Sequence, residues 1–143
     1  MAGGRHTETG LNILRLYCSV IFDKFKILKI IISHMGEMLP FQIDRIFSMS
    51  GRWGRERDPR EVWRTNIWVT TSGMFSLAPL FCLLQMRLMD HVLYSVDYPF
   101  STNERGKEFI EQIRQSSLMD EKQLGMFAYR IAESLLKVKA ESG

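Results

Sequence analysis

The sequence runs to 143 residues, the length of one ordinary domain, so 1–143 is expected as a single unit. Hydrophobic residues make up 45% and charged residues 24%, which excludes a disordered chain. Lysine and arginine number 19 against 16 aspartate and glutamate, a net charge of +3 with the signs interleaved and no clustered basic face, so no nucleic-acid partner is expected; two cysteines exclude a disulfide scaffold and a four-cysteine zinc site.

Met1–Gly10 is polar and lacks the apolar stretch and cleavage site of a secretory leader. The cytoplasm is therefore the expected compartment, and Cys18 and Cys82 are expected as free, buried packing thiols. Thr9 can cap a helix over about 10–25, with Leu14, Tyr17, Cys18 and Ile21 on one face. Ile27–Leu28–Lys29–Ile30–Ile31–Ile32 is β-branched and nearly continuous, the pattern of a strand buried on both faces. A loop over 33–37 and a second helix carrying Phe41, Arg45 and Ile46 follow.

The stretch 48–59 is rich in Gly, Arg and Glu and is read as a solvated loop rather than a phosphate site. Asp58, Pro59 and Glu61 make a helix start. Residues 67–86 carry no charge and are long enough to span a bilayer. Thr70–Thr71–Ser72–Gly73 and Pro79 interrupt them, so strand, turn and short helix (about 77–86) are expected, and no membrane span. A third strand is expected over Val92–Val96. Ser101–Thr102–Asn103–Glu104 reads as a capping box for a helix to about Ser116. Asp120 caps a last helix with Leu124, Phe127, Ala128, Ile131 and Leu135 as its stripe.

Short strands alternating with helices predict an α/β fold with a parallel sheet, in which chemistry collects at the C-terminal ends of the strands. His34 ends the first strand and Asp97 the third. Spacing leaves each open: His34 is a loop residue or a ligand oriented by Glu37, and Asp97 a ligand or base, or a turn cap. His6 and His91 are expected in solvent, and Trp53, Trp63 and Trp68 in packing. No glycine-rich phosphate loop, His-Glu-x-x-His or Gly-x-Ser-x-Gly occurs.

Lys29-Ile-Ile-Ile-Ser-His34-Met-Gly-Glu37-Met-Leu-Pro40-Phe41 with Arg45 resembles the His-x-Gly-Glu-x-Leu-Pro-Phe segment of metal-dependent decarboxylases in the amidohydrolase superfamily. These are the relatives of aminocarboxymuconate-semialdehyde decarboxylase, and fungal 2,3-dihydroxybenzoate and γ-resorcylate decarboxylases look most alike. Asn66-Ile-Trp-Val-Thr-Thr-Ser-Gly73-Met-Phe and Tyr94-Ser-Val-Asp97-Tyr-Pro-Phe100 match two further segments in order, as do Thr7-Glu-Thr-Gly10 and Phe22-Asp-Lys-Phe25. The resemblance implies part of a (β/α)₈ TIM barrel: the last three strands with their helices, the C-terminal part of one barrel domain.

It implies a non-oxidative carboxy-lyase acting on a small hydroxylated aromatic carboxylic acid. One divalent ion (Zn, Mn or Mg) would be held by Asp97, which would also protonate the ring carbon as CO₂ leaves. His34 would be the active-site histidine, with Glu37 as its partner. Phe100 would pack on the substrate, and Arg45 would reach a neighbouring subunit's site. The ion would grip a carboxylate and an ortho hydroxyl and so orient the ring.

The family's first-strand Glu-x-Glu, Glu-x-His or His-x-His pair and its middle-strand histidine are not in this sequence, and a complete barrel takes about 250 residues. Such sites need about three protein ligands, so this chain alone is not expected to bind the ion stably. Ser33 stands at a usual glycine, and Val20 interrupts a usual Ser-Gly-Val. Three strands leave sheet edges unpaired, so a homo-oligomer or a partner chain is expected. The competing expectation is an inactive barrel remnant that associates with a full-length relative.

Overall fold

The computed structural model describes residues 3–86 and 89–139, with the side chains of 3–7 excepted. The expected leading histidine, His6, lies among those exceptions. The chain divides into two compact units: residues 1–32 with 36–68, and residues 33–35 with 69–143.

The first unit holds α1 (Gly3–Cys18), α2 (Ile21–Lys24), β1 (Ile30–Ile32), α3 (Leu39–Met49) and α4 (Pro59–Asn66). The expected single helix over 10–25 starts earlier, is not capped at Thr9, and breaks at Val20, which takes a left-handed φ of 65°. A β-branched side chain is strained there, and the glycine that the resemblance places at this position would not be. Cys18 is exposed, not buried, because α1 turns Tyr17 inward instead.

Phe22, Leu39, Ile43, Val62, Trp63 and Ile67 pack with Tyr17 in the core of this unit. Tyr17 and Trp53 pair at 5.8 Å between ring centroids, and Lys29 lies 5.3 Å over the Trp68 ring. The three tryptophans pack, as expected. Asp58 caps α4 by accepting from the Arg60 amide at 2.7 Å, with Pro59 in the first turn. Asn66 is buried and its amide group donates to the Lys26 and Leu28 carbonyls, fastening the turn ahead of β1. That turn uses up 26–28, so the strand is three residues long instead of the expected six. It is not buried on both faces either: Ile32 is buried, but Ile31 is 44% exposed.

Arg57 corrects the reading of 48–59 as solvated. It is buried, and its guanidinium donates to the Phe22 carbonyl (3.2 Å), Glu61 Oε1 (2.8 Å) and Thr65 Oγ1 (2.8 Å). Its own amide donates to Asp23, and its carbonyl accepts from the Tyr17 hydroxyl at 2.6 Å. Burial, then the nearby Asp58 and Asp23 carboxylates, pushes the Tyr17 phenol above its ordinary pKa.

The strand β2 (Ile67–Thr70) begins in the first unit and ends in the second. The sheet order is β1-β2-β3, a set of parallel strands in which Val69 pairs with Val92 and Thr70 with Leu93. The second unit adds α5 (Leu77–Gln85), β3 (Val92–Leu93), α6 (Asn103–Ser116), α7 (Glu121–Gly125) and α8 (Ile131–Leu136). The expected strand–turn–helix over 67–86 is present, and no helix among the described residues is long and apolar enough to cross a membrane.

Strand β3 is two residues, not five. Beyond Leu93 the backbone leaves the sheet, because the Tyr94 amide donates to the Phe127 carbonyl at 3.1 Å and Ser95 turns to the Thr71 side chain. The Asp120–Gln123 capping box opens α7, but a π turn over Met126–Arg130 divides the expected last helix. The cap of α6 is Thr102, one residue later than expected, accepting from the Arg105 amide. His91 is not solvated: its side chain is 13% exposed and lies 3.1 Å from Asp90.

Candidate functional site

The second unit gathers its irregular backbone just after the strands. Thr71 follows β2 and is buried; its hydroxyl donates to the Ser95 carbonyl (2.6 Å) and accepts from the Ser95 amide (2.8 Å). One side chain thus replaces a rung of the ladder where β2 and β3 part. The chain then reverses over 71–74, closed by the Met74 amide on the Thr71 carbonyl at 3.0 Å. Both central residues have positive φ, Ser72 at 44° and Gly73 at 79°. The tight reversal needs that conformation, which glycine takes freely and serine does not.

Asp97 sits against this turn with a φ of 69°. The Ser72 hydroxyl donates to Asp97 Oδ1 at 3.4 Å, a long contact. A Cβ built on Gly73 would lie 3.2 Å from Asp97 Cβ and 3.4 Å from Oδ2. The absence of a side chain at Gly73 is what lets the aspartate settle there. The Asp97 carbonyl accepts from the Phe100 and Ser101 amides at 2.8 and 3.1 Å, so the loop after it folds back as a turn. This is the turn-capping alternative, met by the backbone; the carboxylate is left for other use. The Tyr98–Pro99 peptide in that turn is cis.

Phe100 is 87% exposed and Tyr98 80%, both following the half-buried Asp97 in the chain. Tyr94 packs edge-on against Phe127 at 6.0 Å between centroids, and burial raises its phenol pKa. Its hydroxyl faces Gly106 of α6, where a built Cβ would come within 2.0 Å of it.

His34 follows β1 in a short 3₁₀ turn over His34–Gly36, half-buried, with a φ of 52°; Met35 beside it is buried with a φ of 56°. Each of the three strands is therefore followed by residues in the left-handed region. The surrounding structure must offset the cost of holding non-glycine residues in that region. In the first unit, Glu37 is half-buried with a φ of 57°, and Arg45 is exposed on α3.

The structure thus brings Asp97 together with Ser72 and Gly73, neither of which the sequence reading singled out as a site residue. Their signal was present: a polar Thr-Thr-Ser-Gly turn placed directly after a buried strand. Asp97 offers a carboxylate oxygen for a ligand or a proton. Among the described residues, no three His, Cys, Asp or Glu side chains stand close enough to hold a metal ion. The residues present do not by themselves fit the ion that the resemblance implies.

The amidohydrolase family profile matches residues 2–129. A decarboxylase from Emericella nidulans is 52% identical over 139 residues, which is 94% of this chain and 42% of that protein. The crystal structure of 5-carboxyvanillate decarboxylase from Sphingomonas paucimobilis superposes with a TM-score of 0.85 at 29% identity, covering 95% of this chain and 42% of that one. A dihydroxybenzoic acid decarboxylase from Polaromonas, solved with manganese and the inhibitor 2-nitroresorcinol, superposes at 0.83 and 29% identity, again over 95% and 42%. The chain spans less than half the length of these relatives.

Proposed function

The chain belongs to the amidohydrolase family, and from that premise we propose that it is the C-terminal part of a single barrel domain that decarboxylates a hydroxylated aromatic acid without oxidation. The observation that carries this reading is the Asp97 carboxylate, held against the Ser72–Gly73 turn with the exposed Phe100 three residues further on, in a chain 52% identical to a decarboxylase. The ring carbon–carboxylate bond breaks and its electron pair stays on the ring carbon. That carbon takes a proton from the Asp97 carboxyl group, CO₂ leaves, and water reprotonates the aspartate. Phe100 packs on the ring, and His34, oriented by Glu37, binds the substrate's polar edge. Arg45 serves a neighbouring chain's site.

Metal dependence belongs to the same proposal. The Polaromonas relative binds manganese, and Asp97 is the one ligand of such an ion that we assign to this chain. No step is routed through it, because no three His, Cys, Asp or Glu side chains among the described residues stand close enough to hold an ion. We place the protein in the cytoplasm, acting as an oligomer or with a partner chain.

The test is CO₂ release from dihydroxybenzoates with Mn²⁺, first with this chain and then with the unmatched part of a family barrel supplied in the same solution. Little release is expected from the chain alone. With the barrel completed, release is expected, and Asp97→Asn lowers it about 10²- to 10⁴-fold. Release that is indifferent to Asp97→Asn, or none from a completed barrel, sinks the proposal. A second reading, an inactive remnant that associates with a full-length relative, is favoured by the 44% exposure of Ile31 in β1.

A further inference from the structure

We propose that Thr71 is a positioning residue for Asp97. Its side-chain hydroxyl sets where the segment after β3 lies against the turn after β2, and so where the carboxylate comes to rest. The proposal rests on the reading of Asp97 as the proton donor.

In a parallel ladder the slanted bonds run from one residue to two on its neighbour: its amide donates to one carbonyl, and its own carbonyl accepts from the amide two positions on. Thr71 makes the first of these bonds, its amide donating to the Leu93 carbonyl at 3.1 Å. The second would bring the Ser95 amide to the Thr71 carbonyl. That amide goes instead to the Thr71 hydroxyl, at 2.8 Å, and the hydroxyl donates in turn to the Ser95 carbonyl at 2.6 Å. The Thr71 carbonyl is thereby left to accept from the Met74 amide at 3.0 Å, the bond that closes the turn carrying Ser72 and Gly73. One side chain lets β2 turn sharply while the continuation of β3 stays alongside.

The effect reaches Asp97 across a single residue. Thr71 fixes both backbone polar groups of Ser95. Val96 follows, with its carbonyl 3.6 Å from where a Gly73 Cβ would stand and its Cγ2 3.0 Å from where a Gly106 Cβ would stand. It is confined between the turn and α6. Asp97 then takes its φ of 69°, and its Cβ comes within 3.2 Å of the same Gly73 position. Thr71 is fully buried, so its hydroxyl has no water to turn to, and its β-branch restricts the rotamer that holds both bonds. In Thr71→Val the Ser95 amide has only the carbonyl at 71 to seek, and reaching it draws the segment and the turn out of their present relation.

Thr71→Val keeps the shape and removes the hydroxyl, and Thr71→Ser keeps the hydroxyl. On the full chain, NMR reads the nuclear Overhauser contact between the Gly73 α and Asp97 β protons, and the exchange of the Ser95 amide. Neither needs activity. In the completed barrel, kcat and KM for a dihydroxybenzoate are read. Thr71→Val is expected to lose the contact and to speed Ser95 exchange at least about tenfold. It is expected to lower kcat about 10- to 100-fold with KM little changed. Thr71→Ser is expected to restore the contact, and kcat to within about threefold of the parent. A Thr71→Val chain that is less stable but keeps the contact assigns the hydroxyl to the fold alone and overturns the proposal, as does a Thr71→Ser chain that loses it. Should Thr71→Val not fold, the parent and Thr71→Ser decide: a parent Ser95 amide that exchanges like an unprotected one overturns the proposal. A completed barrel without activity sinks the decarboxylase reading, and the proton contact then decides the placement of Asp97 by itself.

Discussion

Arg57 in the first unit and Asp97 in the second are both charged groups drawn out of full contact with water, and they are held on opposite terms. Arg57 is buried and its guanidinium is met at short range by a carbonyl, a carboxylate and a hydroxyl, while the Tyr17 hydroxyl and Asp23 secure its backbone. Asp97 is half-buried, takes the Ser72 hydroxyl at 3.4 Å, sits at a positive φ, and precedes the exposed Tyr98 and Phe100 in the chain. Saturated hydrogen bonding in ordinary backbone is how a charge is used to fix a fold. Positive-φ backbone with slack hydrogen bonding leaves a charge less tied to the fold.

The comparison breaks most visibly if the two residues respond alike to mutation. Arg57→Met is expected to cost about 3 kcal/mol, since it removes several charge-assisted hydrogen bonds and strands the Phe22 carbonyl. Asp97→Asn is expected to stay within about 0.5 kcal/mol of the parent. Urea unfolding of both variants measures the gap, and equal losses would mean that Asp97 is structural.

Gly106→Ala probes the packing behind the Asp97 turn. In an ordinary helix interior this change stabilises by about 1 kcal/mol. Here the new methyl group would meet the Tyr94 hydroxyl at 2.0 Å and Val96 Cγ2 at 3.0 Å. A loss of about 2 kcal/mol is expected in thermal unfolding, and unchanged or higher stability would show that Tyr94 moves aside freely.

Gly73→Ala sharpens the comparison at the site itself. Its φ of 79° and its 3.2 Å approach to Asp97 Cβ both disfavour a side chain. A loss of about 1–2 kcal/mol is expected, together with displaced Asp97 resonances in NMR spectra. Spectra that differ only at residue 73 would mean the turn does not position the carboxylate.

Strain outside the site should be dispensable. Val20 holds a φ of 65° between α1 and α2, far from any candidate chemistry in the sequence. Val20→Gly is expected to raise stability by about 1 kcal/mol, the left-handed penalty less the entropy of glycine. A fall in melting temperature would show that the valine side chain contributes more by packing than its backbone loses.

The smallest effect concerns the Tyr17 hydroxyl. Folding raises its pKa above the ordinary 10.0, so the folded chain holds that proton more tightly than the unfolded chain does. Its contribution is full below about pH 10 and declines as the pH rises through the folded value. Tyr17→Phe is expected to cost about 1 kcal/mol at neutral pH and to flatten part of the alkaline loss. An unchanged alkaline arm would assign that loss elsewhere, Tyr94 being the other raised phenol.

Local chemistry by itself determined much of this protein. Asp58 with Pro59 starts α4, Asp120 with Gln123 starts α7, and the uncharged Ile67–Thr70 run forms β2 as its pattern demands. His34 and Asp97 were legible as polar residues following strands, and the Thr-Thr-Ser-Gly turn was legible as a turn. Each of these rests on neighbours within a few residues. Only the tertiary structure decided the rest. Strands β1 and β3 are short because Asn66 and Phe127, remote in sequence, take the backbone groups that would have extended them or divert them from the sheet. Arg57 is buried because Phe22 and Thr65 close over it. The role of Ser72 and Gly73 becomes visible only when β2 and β3 lie side by side and the aspartate that follows one strand comes down on the turn that follows the other. Such contacts join residues up to 40 positions apart, and no periodicity or capping pattern carries information over that distance.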